Sequence, residues 1–379
     1  MSAGAALIAA ATVLLAATSS PVQGQGKAGV TRSATVVVPR PETTLPIALL
    51  GAATADAALG LRIPFYEPPT VPNPALPGTT IVGGLDKPDP FMVVQSSRYY
   101  LFTSQGDLPA NVPVRSGPSP TQLGQVSDAL PALPAWAEPG GTWAPDVHHF
   151  GRHFMLYFTA AVREPDAHIE CIGDAYSTRL TGPYIANPAP FICQLAEGGS
   201  IDPRTFVDSD GRAFLLWKSD ENSDVDGTSL TNIYSQRLSA DGLHLLGQPT
   251  RIFGPDEPWQ GRIVEAPDMI LVRGVTYLFY SGGWFNQTGY AIGVAVCAGP
   301  LGPCHDPSAN PILASNAQGL GPGEESIFTD THGIWLLYTP FRSDLPLTTG
   351  PPRPVAMAHL GFGAFGPYLA APLTVNTPS

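Results

Sequence analysis

Residues 201–217 read IDPRTFVDSDGRAFLLW, and residues 265–280 read EAPDMILVRGVTYLFY. Each sets a carboxylate one or two residues before a proline. A short apolar run, a polar or glycine turn and an aromatic-rich run follow. Three more stretches repeat the order from the proline onward: PDPFMVVQSSRYYLF (88–102), WAPDVHHFGRHFMLYF (143–158) and, more loosely, GPGEESIFTDTHGIWLLY (321–338). With proline as the marker, Pro90, Pro145, Pro203, Pro267 and Pro322 are separated by 55, 58, 64 and 55 residues. A run, a turn and a second run make a hairpin, and a repeated hairpin cannot bury its apolar faces until neighbours stack on it. The chain is therefore expected to be all-β, a five-bladed β-propeller over residues 80–379.

In such a ring, equivalent positions on the innermost strands converge at one end of the central channel. Asp89 and Asp202 stand one residue before their markers and Glu265 two before, so these three carboxylates are expected to share one pocket. Trp143 holds the position of Glu265 in its own repeat and is expected to face the same space. Trp284 and Phe285 follow the Tyr277 strand and are expected on the rim. Asp146 and Asp268, one residue after their prolines, read as strand-start residues that bond to neighbouring loops.

Composition supports many turns between short strands: 42 Pro and 40 Gly accompany 44% apolar and only 13% charged residues. The net charge of -12 carries no basic cluster, which argues against nucleic acid and anionic membranes as partners. Residues 1–26 read as a secretory signal peptide. Its uncharged apolar core, residues 5–17, spans about 20 Å as a helix, short of a bilayer's roughly 30 Å. Residues 27–79 read as a Pro/Ala-rich linker, with room for a short helix near 52–61. Four cysteines fit export to an oxidising compartment. The local pairings Cys171–Cys193 and Cys297–Cys304, each stapling one hairpin, are preferred among the three arrangements. Asn286-Gln287-Thr288 matches a glycosylation sequon.

Hydrolysing a glycosidic bond takes two carboxyl groups on opposite sides of the anomeric carbon, one protonated and one ionised. A third nearby carboxylate raises the pKa of the acid toward working pH. Glu265, the longer side chain, is the natural general acid, and Asp89 is then the candidate base. The alternative is a non-catalytic carbohydrate-binding propeller using the same pocket.

Taken together, KPDPF, TWAPDV, GGSIDPRTFVDSDGRAFLLW, IVEAPDMI and GPG resemble, in that order, glycoside hydrolase family 43. The likeness runs from residue 80 to the closing RPVAMAHLGFGAFGPY. It implies a five-bladed propeller that acts on arabinofuranosides and xylosides with inversion. Asp89 is then the general base, Glu265 the general acid, and Asp202 the carboxylate that tunes and orients the acid. Because the apolar face of a pentose stacks on a ring, Trp143, Trp284 and Phe285 are the expected substrate-binding aromatics, and the chain is expected to act as a monomer on pentose-containing polysaccharide. No cofactor is required. A structural calcium ion held by oxygen ligands is compatible with the resemblance, with Glu324 standing where arabinan-cleaving relatives often carry histidine. Since adjacent strand residues face opposite ways, at most one of His148 and His149 can look inward.

Overall fold

The structure, a computed structural model, describes residues 79–82, 88–106, 108–163, 169–223, 229–316, 319–341 and 353–370. The expected leader, the linker as far as residue 78 and the helix near 52–61 lie outside the described residues.

Four sheets hold four strands each and the fifth holds five. After β1 (Thr79–Val82), blade one holds β2 (Phe91–Gln95), β3 (Arg98–Phe102), β4 (Pro113–Gly117) and β5 (Ser127–Asp128). Blade two holds β6 (Ala137–Phe150), β7 (His153–Val162), β8 (Glu170–Ser177) and β9 (Ile185–Ala186). Blade three holds β10 (Ser200–Val207), β11 (Ala213–Ser219), β12 (Ile233–Leu238) and β13 (Leu245–Phe253). Blade four holds β14 (Val264–Val272), β15 (Val275–Gly282), β16 (Ala291–Cys297) and β17 (Cys304–His305). The fifth sheet runs β18 (Leu320–Asp330), β19 (Gly333–Phe341), β20 (Val355–Gly363), and β1 supplies its outer strand beside β21 (Gly366–Ala370). The chain is a five-bladed β-propeller whose first strand completes its last blade.

The apolar core is divided among the seams between blades. One cluster joins Phe102 and Val114 of blade one to Leu156 and Phe158 of blade two, and others serve the following seams. The ring closes on Met92, Tyr99 and Leu101 packed against Phe328, Leu337 and Val355. The two local disulfides, Cys171–Cys193 and Cys297–Cys304, are both present. Among the described residues no helix is long and apolar enough to cross a membrane.

Candidate active site

Each innermost strand breaks its alternation at one point. Asp89 (φ 51°), Ala144 (48°), Asp202 (56°), Ala266 (49°) and Glu324 (53°) adopt left-handed backbone, one in each blade. The ladder to the second strand slips there, between Trp143 and Asp146, Ile201 and Arg204, Glu265 and Asp268, and Gly323 and Ser326. A bulge of this kind re-aims side chains, so neighbouring residues need not face opposite ways. Pro88 with Asp89, and Ile201 with Asp202, accordingly line one cavity as adjacent pairs. Left-handed backbone costs a non-glycine residue about 1–2 kcal/mol, and such strain gathers at functional sites.

The bulges correct the marker in blade five. Glu324 is the counterpart of Asp89 and Asp202, so Glu325, not Pro322, stands in the proline's place, and the last spacing becomes 58 residues. Pro322 misled because the repeat changes its chemistry there. Gly323 is required on the spot: a Cβ would lie 2.0 Å from the Tyr290 ring.

The cavity, about 530 Å³, brings together Asp89, Asp202, Glu265 and Glu324 from four blades, with Trp143 and Phe285 also in its lining. Trp284, 37% exposed, is not part of the lining. Neither His148 nor His149 reaches it; they pack on Phe150 and Phe154.

Glu265 is gripped at both oxygens. Tyr290 Oη donates to Oε1 at 2.7 Å, and Lys218 Nζ lies 3.3 Å from Oε2. Burial pushes its pKa up and Glu324 adds to that, while Lys218 and Tyr290 oppose the rise. Asp202 Oδ2 accepts the Ala266 amide at 3.0 Å, and the Asp202 amide donates to Thr159 Oγ1 at 3.1 Å. Burial, then the Glu265 charge, lift the Asp202 pKa to about 7 against the pull of Lys218. Asp89 accepts from Ser104 Oγ. Its pKa is raised by burial and by the Glu324 and Asp202 carboxylates, with Ser104 and Arg353 acting the other way.

Glu324 is engaged on every side. Arg353 takes Oε1, while Thr339 Oγ1 at 3.0 Å and the Asp89 amide at 3.3 Å take Oε2. A carboxylate already neutralised by guanidinium is a poor calcium ligand, so Glu324 does not suit the ion that the sequence left room for. Among the described residues no group of three or more His, Cys, Asp or Glu side chains is arranged to hold one. Arg204, which is not part of the cavity lining, lies 3.8 Å from both Asp146 and Asp268 and over the Phe91 ring. Asp146 and Asp268 are thus buried partners of Arg204. They also accept from Thr205 Oγ1 and the Ile327 amide, at 2.6 and 2.7 Å.

Sequence reading missed Lys218, Tyr290, Arg353, Ser104 and Glu170, which all line the cavity. Glu170 hydrogen-bonds with Trp143, and burial lifts its pKa to about 8, with Asp220 adding to the rise. Ser104 and Lys218 carried a partial signal, since each stands just past an aromatic-rich run, 14 residues after Pro90 and 15 after Pro203.

Residues 79–359 match the family described as Glycosyl hydrolases family 43, and the chain belongs to that family. It is 26% identical over 285 residues to the extracellular endo-alpha-(1->5)-L-arabinanase 2 of Bacillus subtilis (strain 168), a match covering 66% of this chain but only 56% of that relative. The chain therefore spans little more than half the length of that relative. It is 25% identical to arabinan endo-1,5-alpha-L-arabinosidase C of Emericella nidulans, covering 68% of this chain and 83% of the relative. Among solved structures, a thermostable family-43 glycoside hydrolase superposes with a TM-score of 0.68 at 25% identity, over 79% of this chain and 98% of the other.

Proposed function

We propose that the protein is a secreted, monomeric, inverting glycosidase that cleaves O-glycosidic bonds in pentose-containing polysaccharide, with arabinofuranoside linkages preferred over xylosides. The observation that carries this reading is the convergence of Asp89, Asp202 and Glu265 on one cavity, with both oxygens of Glu265 held by donors. Glu265 protonates the leaving oxygen as the C–O bond breaks. Asp89 takes a proton from the water that attacks the opposite face, and Asp202 keeps the acid protonated and in place. Trp143 and Phe285 offer apolar faces to the sugar.

Two relatives whose names specify arabinan support the preferred sugar. Charge supports a neutral substrate: six carboxylates line the cavity against two cations, and Lys218 and Arg353 are already paired. The two disulfides suit an extracellular setting.

The test is release of sugar from linear arabinan, arabinoxylan and arabinogalactan. Asp89→Asn and Glu265→Gln are each expected to lower kcat by about 10²–10⁴-fold with the fold retained. Near-normal rates in either variant would refute its assigned role. Background release by the wild type, with glycan binding retained, would point instead to a binding propeller.

A further inference from the structure

We infer that Lys218 is a positioning residue for Glu265, steering its carboxyl and supplying the positive charge that the departing proton leaves uncompensated, at a place where the other blades keep a hydroxyl. The inference rests on the glycosidase reading above, because it assigns Lys218 a part in proton donation.

The five second strands make the case. Trp143 pairs with Thr159, Ile201 with Lys218, Glu265 with Ser281 and Gly323 with Thr339. In blade one the Ser104 amide donates to Pro88 O, which puts Ser104 at the same level. The equivalent residues are therefore Ser104, Thr159, Lys218, Ser281 and Thr339. Three of the hydroxyls do the same work, accepting the amide of the left-handed residue in the next blade. Ser104 accepts from Ala144 at 2.8 Å, Thr159 from Asp202 at 3.1 Å and Ser281 from Glu324 at 2.9 Å. At the ring closure Thr339 acts through the Glu324 carboxylate, which accepts the Asp89 amide.

Blade three departs from this pattern. The Ala266 amide, which a hydroxyl at position 218 would have received, bonds to Asp202 Oδ2 instead. Lys218 is thereby released from holding backbone, and its long stem carries an ammonium 2.9 Å from Asp220 Oδ1 and 3.3 Å from Glu265 Oε2. The residue is buried, at 1% exposure, so water does little to dilute its charge. Burial disfavours the ammonium, but Glu265, Asp220 and Asp202 together hold its pKa above the ordinary lysine value.

The charged and titratable groups around Glu265 are Asp202 from β10, Lys218 from β11, Asp220 just beyond it, Tyr290 ahead of β16 and Glu324 from β18. Of these only Lys218 is a cation. Without it the three carboxylates and burial act unopposed except by Tyr290, and Glu265 becomes a weaker acid.

The experiment compares wild type, Lys218→Thr and Lys218→Arg on linear arabino-oligosaccharide across pH, with melting recorded for each. Lys218→Thr restores the hydroxyl of the other blades. It is expected to move the basic limb of kcat/KM to higher pH and to lower kcat by about 10–100-fold, the proton donor being weaker. Lys218→Arg is expected to return the limb toward the wild-type position. A folded Lys218→Thr enzyme with an unmoved or lowered limb would overturn the inference. Titration of carbon-13-labelled Glu265 in both proteins tests the same point without turnover. A wild type that cleaves nothing would sink the glycosidase reading and with it the part of Lys218 in proton donation, whereas an unchanged Glu265 titration in variants of an active enzyme would sink this inference alone.

Discussion

Asp202 has two duties that a sequence cannot separate. Its carboxylate receives the Ala266 amide, closing the seam between blades three and four, and its charge bears on Glu265. Replacing it with asparagine keeps an acceptor for the amide but removes the negative neighbour. Glu265 then ionises more easily, so Asp202→Asn should move the basic limb of kcat/KM to lower pH, opposite in sign to Lys218→Thr. An unmoved limb in a pH–rate profile would count against that influence. The shared position of Asp89, Asp202 and Glu265 was open to reading because carboxylates beside prolines recur at blade spacing. Glu324 was harder to place, since its neighbour is glutamate and not proline, and only its left-handed backbone aligns it with the others.

At the scale of elements, the hairpins were legible because each combines an apolar run, a turn and an aromatic run. Three of the fourth strands were not, since β5, β9 and β17 are two residues long and carry no period. What holds the blades together is side-chain packing across seams. Leu337 of β19 is fully buried in the last seam, against Leu101 of blade one. Leu337→Ala should lower stability by about 2–5 kcal/mol, the usual cost of a truncated core leucine. Thermal or denaturant unfolding would measure it, and a loss well below 1 kcal/mol would mean the closing seam relaxes around the gap.

For the molecule as a whole, converging strands bury carboxylates faster than the chain supplies cations for them. Burial lifts Asp174 and Asp268 to about 6, Asp202 and Asp306 to about 7, and Glu170 to about 8. In the unfolded chain such groups titrate near 4. The folded protein therefore binds more protons across this window. The stability these groups contribute is complete below about pH 4 and is lost as pH rises through 6 to 8. The melting temperature is expected to fall between about pH 5 and pH 8. A flat or rising profile in calorimetry would show that other groups dominate.

The sequence by itself determined the all-β class, the number of blades, the carboxylates of the first, third and fourth blades and the likeness to a hydrolase family. It could do so because blade stacking demands the same apolar pattern each time, and repetition is visible without coordinates. Tertiary structure alone decided that Glu324 joins the expected carboxylates in the cavity, and it showed how Glu265, at a different offset from its proline, still faces it: the bulge between Glu265 and Asp268 cancels the usual strand alternation. It also decided that Lys218, Tyr290 and Arg353 reach the acids. A cation's partner is set by where separate blades meet in space, and no spacing along the chain encodes that.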